Sequence, residues 1–188
     1  MSDSQLEAHF FRREYAKIVS TLSRRMGVNH IQDIEDAVQS AMVKSLEVWK
    51  KTGTPENPAG WLFTVARHNL LGALRQEANR KRIQQADFVH ENEVMSAEAS
   101  ASHEEQDLLC MLFVCCRDDI PVQSQLVFAL KILCGFSISE IAQRLFISEA
   151  NAYKRLTRAR KYLQSSPPDV NTLALSMQSS RLPAVTRS

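Results

Sequence analysis

One segment constrains the fold of this chain more than any other: residues 137–163, which read SISEIAQRLFISEANAYKRLTRARKYL. Ser137 and Glu140 have the spacing of a capping box, which predicts the first turn of a helix. Ser148 offers a second N-cap, and a turn is expected at residues 146–147. The segment therefore predicts two helices joined by a tight turn.

The second of these helices has two chemically different faces. Small and aliphatic residues recur at helical spacing on one face, and basic residues occupy the other. A helix that enters the DNA major groove places side chains from its N-terminus at base edges and cations on phosphates. The expected buried stripe is Ala152, Leu156, Ala159 and Leu163, and the candidate DNA-contacting residues are Ser148, Glu149, Asn151, Lys154, Arg155, Arg158 and Arg160.

This layout is typical of a helix-turn-helix. Many such turns carry glycine where Phe146 stands, because the turn favours a positive φ. The alternative is an amphipathic helical hairpin whose charged face is only solvated.

The composition predicts an all-α fold. The chain has 188 residues, which suit one domain or two small ones, and only five glycines. Its apolar content of 44% and charged content of 23% are those of globular proteins, and alternating β-branched patterns are nearly absent.

The net charge of +2 hides a segregation of charge along the chain. Residues 67–82 and 154–161 are basic, whereas residues 83–107 contain seven acidic residues and no Lys or Arg. Two basic blocks suggest two modules that each contact a polyanion, and the alternative is a solvated surface with an acidic linker. We therefore expect a first domain at residues 1–82, a linker at 83–106, a second domain at 107–164 and a flexible tail at 165–188.

Several classes of function find no support in the sequence. The chain has no apolar run of the ~18 residues that a membrane span needs, and no signal-peptide pattern. It has no Gly-rich phosphate loop, and its histidines are scattered, so we expect neither an enzyme nor a cofactor. A zinc site from His103, Cys110, Cys115 and Cys116 is conceivable but lacks a CxxC pair.

Helical periodicity and breaker residues divide the rest of the chain into further helices. The expected helices are residues 4–26, 31–51, 59–82, 107–116 and 121–134. A loop rich in glycine and proline, residues 52–58, separates the second helix from the third.

Three motifs, in this order, resemble those of bacterial RNA polymerase sigma factors of the extracytoplasmic-function group. Residues 33–39, DIEDAVQ, with Trp49 resemble the core-binding helix of sigma region two. Residues 61–69, WLFTVARHN, resemble its promoter-melting and minus-10 segment. Residues 139–160 resemble region four, which reads the minus-35 element. The resemblance covers residues 10–163.

The resemblance implies a role for particular residues. The implied polymerase-core contacts are Asp36 and Gln39, and the implied minus-10 contacts are Asn57, Trp61, Arg67, His68 and Arg75. Trp61 can also serve as an ordinary core tryptophan. The implied partners are RNA polymerase core, through the coiled coil of its largest subunit and the flap of the second subunit, double-stranded and melted promoter DNA, and an anti-sigma factor.

One subgroup of the family is the nearest match. Its hallmarks are a Gly-x-Pro-x-x-Pro loop, here residues 53–58, and a Leu-Phe-x-Cys-Cys helix, here residues 112–116. That subgroup normally continues into a C-terminal helical-repeat extension, which we expect to be absent here. The chain departs from the subgroup at Arg117-Asp118, and from the wider family at Gly72 and Gln76.

The resemblance implies a cytoplasmic sigma factor that directs transcription initiation and is not itself an enzyme. The rivals are a stand-alone helix-turn-helix regulator and a helical adaptor that binds only protein. The regulator leaves the basic block at residues 67–82 and the helix of Asp36 unexplained, and the adaptor explains neither basic block.

Overall fold

The computed structural model describes residues 3–84 and 101–168, and every regular element in these ranges is helical. This confirms the predicted all-α fold. The helices are α1 Asp3–Met26, α2 Ile31–Thr52, α3 Pro58–Gln84, α4 Ala101–Cys115, α5 Val122–Ile132, α6 Ile138–Leu145 and α7 Glu149–Ser165, with a short 3-10 helix Val28–His30 before α2.

Helices α1 to α3 form a first group around an aliphatic core. Glycines end α1 and α2, because Gly27 and Gly53 adopt φ values of 94° and 82° that other residues rarely take. The α2 stripe Ile34, Val38 and Ala41 is fully buried or nearly so, and the α3 stripe Leu62, Ala66 and Leu70 is fully buried. Helices α2 and α3 pack along each other, as their three- and four-residue spacing predicts.

Helices α4 to α7 form a second group. The predicted stripe of α7, Ala152, Leu156, Ala159 and Leu163, is buried against α5 and α6. Helix α5 contributes Val127, Phe128 and Ile132 to the same core. This burial confirms the amphipathic pattern read from residues 152–163.

Helix α4 begins six residues earlier than the sequence predicted. It starts at Ala101, so a helix covers the end of the segment that was expected to be linker. The reason is tertiary, since α4 packs on α1 and its Asp107 is buried in that contact. Most of the predicted linker, residues 85–100, and most of the predicted tail, residues 169–188, lie outside the described residues.

The two groups contact each other directly. Helix α4 packs against α1, and α7 lies against the 3-10 helix. Arg160 of α7 forms an ion pair with Glu35 of α2, and Asp107 of α4 forms one with Arg24 of α1. The domain boundaries at residues 82 and 107 stay a prediction, because these contacts join the two groups within one core cluster.

Phe146 ends α6 in the left-handed conformation that the sequence led us to expect at this turn. Its φ is 53° and its ψ is 43°, and its amide donates to carbonyls of the last turn of α6. It is the one non-glycine residue with a positive φ among the described residues. The side chain is 96% exposed, so packing does not compensate the conformation.

Phe146→Gly is expected to raise the free energy of unfolding by about 1 kcal/mol relative to Phe146→Ala, because a left-handed backbone costs a residue with a Cβ about 1–2 kcal/mol. Phe146→Ala is the matched control, since it removes the same exposed ring and keeps the Cβ. Denaturant unfolding of the two variants measures the difference. Equal stability would show that the turn is not strained.

Candidate nucleic-acid interface

Reciprocal capping fixes the angle at which the helix-turn-helix begins. The Ser137 hydroxyl oxygen accepts from the Glu140 amide at 3.2 Å, and a Glu140 carboxylate oxygen accepts from the Ser137 amide at 2.9 Å. The hydrogen bond from the Ser137 amide is the main effect that lowers the pKa of the Glu140 carboxyl group. The predicted capping box is therefore confirmed, and it stays formed at neutral pH.

The second cap positions the N-terminus of α7. The Ser148 hydroxyl oxygen accepts from the Asn151 amide at 3.2 Å. Glu149 follows in the first turn, where a carboxylate interacts favourably with the helix dipole. Both side chains are exposed, so the first turn of α7 is open to a ligand.

One face of α7 presents the polar residues that a major-groove helix requires. Asn151, Lys154 and Arg158 are exposed, and Arg155 is half-buried beside them. They lie three or four residues apart, so they follow one face for two turns. Asn151 can pair with a base edge through its amide, whereas the cations can reach base acceptors or phosphates.

Arg160 departs from the predicted set. Its guanidinium forms an ion pair with the Glu35 carboxylate, and the Arg160 side chain is only 15% exposed. In this arrangement Arg160 therefore faces α2 rather than the surface that Lys154 and Arg158 share. The cause is helical geometry, because Arg160 follows the buried Ala159 and lies two positions away from Arg158.

The candidate DNA contacts predicted from the sequence do not include two further exposed residues of α7. Tyr153 is 59% exposed, and Thr157 is exposed one turn further along the helix. Each precedes a basic residue that was selected, Lys154 or Arg158, so helical spacing alone places them beside the expected contacts. A tyrosine hydroxyl and a threonine methyl group extend this face to hydrogen bonding and to apolar contact with thymine.

The loop before α3 holds Asn57 as a helix cap. The Asn57 side-chain oxygen accepts from the Gly60 amide at 2.9 Å, and its backbone oxygen accepts from the Trp61 amide at 3.1 Å. The Asn57 side chain is exposed, and its amide nitrogen takes no part in the cap. The cap uses the side-chain oxygen of Asn57, so the expected base contact would have to use its NH2 group, which is a hydrogen-bond donor.

Trp61 belongs to an aromatic cluster. Its ring meets Trp49 edge to face at 5.5 Å between centroids, and Trp49 stacks on Phe11 at 6.1 Å. Trp61 is half-buried, so it helps to close the core between α2 and α3 and keeps part of its ring accessible. The structure thus places Trp61 in the core role that the sequence also allowed.

The basic residues of α3 continue from this cluster. His68 and Arg75 are exposed and lie seven residues apart, so they share one face of the helix. Arg67 is half-buried and has interactions of its own. The structure brings Asn57, Trp61 and this exposed face onto one continuous element.

The predicted core-binding residues lie on the exposed face of α2. Asp36 and Gln39 line a shallow groove together with Ser40, Lys44 and Glu47. The sequence did not indicate two exposed apolar residues near them, Val43 and Leu46. Each is 59% exposed, and Val43 lines the same groove. The sequence pattern that could have identified them is a break in amphipathicity, because these large aliphatic residues interrupt the polar face of α2.

None of the four cysteines forms a disulfide. Cys110 and Cys115 are buried in α4, and burial raises the pKa of both thiols, which makes them poor metal ligands and weak nucleophiles. Among the described residues, no group of three or more potential ligands could hold a metal ion. The side chain of His103, the other candidate zinc ligand, lies outside the described residues.

None of the helices in residues 3–84 and 101–168 is long and apolar enough to cross a membrane.

Two family models match the chain where these surfaces lie. A model described as Sigma-70 region 2 matches residues 10–80, and a model described as Sigma-70, region 4 matches residues 113–163. Together they cover more than half of the chain; the first lies within α1 to α3, and the second covers the end of α4 and helices α5 to α7.

One curated relative is an uncharacterized protein of Rhizobium meliloti (strain 1021). It is 31% identical over 130 residues, which cover 67% of this chain and 31% of that protein, so the chain aligns with about a third of its length. No solved structure is significantly similar to this chain. A region 2 followed by a region 4 in one chain shows that this protein belongs to the sigma-70 family, as a member of the extracytoplasmic-function type.

Proposed function

We propose that this protein binds RNA polymerase core and directs it to promoters by recognising a minus-35 and a minus-10 element. The observation that carries the proposal is the occurrence, in one chain, of a capped helix-turn-helix with an exposed basic face and a second basic helix beside an aromatic cluster. A DNA-binding module alone requires only the first of these surfaces.

The minus-35 element is assigned to α7 in this proposal. Asn151, Tyr153 and Lys154 at its N-terminal half supply side chains that can distinguish bases, and Arg158 supplies charge for phosphate. The Ser148 cap supports the assignment, because it fixes the first turn of α7 directly after the turn that follows α6.

The minus-10 element is assigned to the loop and helix around Asn57 and Trp61. Capture of a single strand requires aromatic surface, hydrogen-bonding groups and nearby cations. Trp61 is partly accessible, the Asn57 side chain is exposed with its amide nitrogen unused by the cap, and His68 and Arg75 follow on α3.

The groove on α2 is the proposed contact with the polymerase core, through the coiled coil of its largest subunit. Asp36, Gln39, Lys44 and Glu47 give it a mixed polar rim, and the exposed Val43 gives it an apolar centre, which is the usual composition of a protein interface. The flap of the second subunit is the proposed partner of the second group. An anti-sigma factor would have to cover the α2 or the α7 surface.

Catalysis belongs to the polymerase in this proposal, and the protein acts in the cytoplasm, where the polymerase transcribes. The test is reconstitution with purified core polymerase and a library of promoter fragments. We expect co-elution with core and initiation from one class of promoter. Sequence-specific DNA binding without core binding would instead identify a stand-alone regulator.

Replacing Asp36 and Gln39 together with alanine is expected to weaken core binding about tenfold, which corresponds to ~1.4 kcal/mol. Both side chains are exposed, so the helix content and the unfolding free energy should stay within error. Affinity for labelled core measures the effect. A matched control replaces two exposed polar residues of the first group outside the groove, Glu56 and Gln76, and unchanged affinity of the α2 variant would refute the assignment.

A further inference from the structure

Phe146 carries a backbone cost that the fold around it does not offset. Its φ is 53° and its ψ is 43°, and its side chain is 96% exposed in the turn directly before α7. A left-handed backbone costs free energy for a residue that has a Cβ, and an exposed phenyl ring recovers none of it by packing. Glycine would meet the backbone requirement without this cost, so the ring itself is the feature that needs an explanation.

Hydrogen bonds hold this turn in one shape. The Ile147 amide donates to the Ala142 carbonyl oxygen at 3.0 Å, and the Phe146 amide donates to the Gln143 carbonyl oxygen at 3.4 Å. These are the two bonds of a Schellman motif, which closes a helix through one left-handed residue. Ser148 then caps α7. The Cβ of Phe146 therefore has a fixed direction relative to α6 and to the start of α7.

The position of Phe146 is close to the end of α7 that is proposed to contact bases. Phe146 precedes the N-cap Ser148 by two residues, so their Cα atoms are at most about 8 Å apart. Ser148, Glu149 and Asn151 are exposed in the turn that follows. Each base pair adds about 3.4 Å along the duplex, so a ring at this distance lies one or two base pairs beyond those that the first turn of α7 contacts.

The residues around Phe146 in the chain favour DNA over a protein as its partner. Leu145 and Ile147 pack against the core, whereas Arg144 and Ser148 are exposed and polar. Phe146 is therefore a single exposed ring within a polar stretch of chain, and a protein interface usually has a contiguous apolar centre. A thymine methyl group in the major groove is a small apolar target, and phenylalanine is among the side chains that contact it.

We propose that Phe146 is a specificity-determining residue that contacts the methyl group of a thymine at the edge of the minus-35 element. This inference rests on the proposed function and adds a contact from the turn to those assigned to α7. Only thymine among the four bases carries this methyl group, so the contact selects one base without a hydrogen bond. Because the Schellman bonds fix the turn before DNA arrives, little backbone freedom is lost when the contact forms.

Replacement of thymine by deoxyuridine removes only the methyl group and tests the contact directly. The probe is a promoter fragment that the holoenzyme selects from a random library, with each thymine of the minus-35 element replaced in turn. We expect the native holoenzyme to lose about fourfold in affinity at one of these thymines, which is the effect of burying one methyl group. Phe146→Ala should bind the unmodified fragment more weakly and lose its sensitivity at that thymine alone.

Two further variants exclude a merely structural effect. Phe146→Gly removes the ring and relieves the left-handed backbone, so it should be more stable than Phe146→Ala and yet equally insensitive to the methyl group. Phe113→Ala removes a phenyl ring that is 50% exposed on α4, and it should keep the native sensitivity. Sensitivity retained by both Phe146 variants, or a native holoenzyme that is indifferent to every methyl group, would overturn the inference.

The outcomes separate this inference from the proposed function. If the native holoenzyme initiates from the selected fragment and the Phe146 variants keep the methyl sensitivity, only the inference is wrong. If the protein selects DNA but does not bind core, the proposed function is wrong, and the same thymine replacements with the free protein still decide whether Phe146 contacts a methyl group. If the protein selects no DNA at all, both are refuted.

Discussion

Lys154→Ala is expected to relax the base preference of the protein at one position of the minus-35 element and to leave the preference at the other positions unchanged. Lys154 is exposed in the N-terminal half of α7, on the same face as Asn151. The loss of one good base contact typically costs ~1–3 kcal/mol, which is about 5- to 150-fold in affinity for the preferred sequence. Selection from a randomised minus-35 library measures this effect.

Arg158→Ala provides the contrasting variant on the same helix face. Arg158 lies one turn beyond Lys154, where a guanidinium is expected to reach phosphate, so its loss should weaken all sequences alike and reduce the slope of affinity against salt by about one unit. Lys51→Ala, an exposed lysine at the end of α2, controls for the loss of positive charge. A library profile of Lys154→Ala identical to that of the native protein would contradict the role given to Lys154.

Replacing Asn57 is expected to impair promoter opening beyond what the loss of a helix cap explains. Base flipping costs a few kcal/mol, which a pocket must recover, and the Asn57 amide nitrogen is a donor that the cap at the start of α3 does not use. We expect at least a tenfold loss of permanganate-reactive thymines in a polymerase–promoter complex formed with Asn57→Ala, and a loss of the minus-10 preference.

The structure supplies the control that this experiment needs. Asn57→Ser keeps an N-cap oxygen for the Gly60 amide, but it removes the amide group, whereas Asn57→Ala removes both and costs about 1 kcal/mol of helix stability. If Asn57 reads a base, Asn57→Ser should impair opening as much as Asn57→Ala. If Asn57→Ser opens promoters normally, the residue is only a cap and the pocket lies elsewhere.

The helix-turn-helix shows why some features could be read from the sequence. Ser137 and Glu140 are three residues apart, and each hydrogen bond of the capping box closes within one turn. The buried stripe of α7 follows from helical spacing, and the left-handed turn at Phe146 follows from the geometry of the motif. Such local features need no knowledge of distant parts of the chain.

Asn57 shows how much of the candidate minus-10 site can be predicted from the local sequence. The sequence indicated that the residue lies in a loop between two helices, and the resemblance implied a contact with the minus-10 element. The structure shows the cap, because Asn57 Oδ1 lies 2.9 Å from the Gly60 amide. Base reading by the remaining donor stays a prediction.

The sequence by itself determined most of the helices, the caps at Ser137 and Ser148, the buried stripe of α7 and the family, because these depend on spacing within a few residues and on motifs in a fixed order. Only the tertiary structure decided that Glu35 meets Arg160, 125 residues away, and that Asp107 meets Thr21, 86 residues away. A charged residue in a helical pattern is normally read as solvated, and the position of Arg160 next to the buried stripe does not reveal that a distant carboxylate pairs with it. Packing of α4 on α1 and of α7 on the 3-10 helix before α2 removes water from two carboxylates, and that burial requires a cation whose position the fold alone supplies.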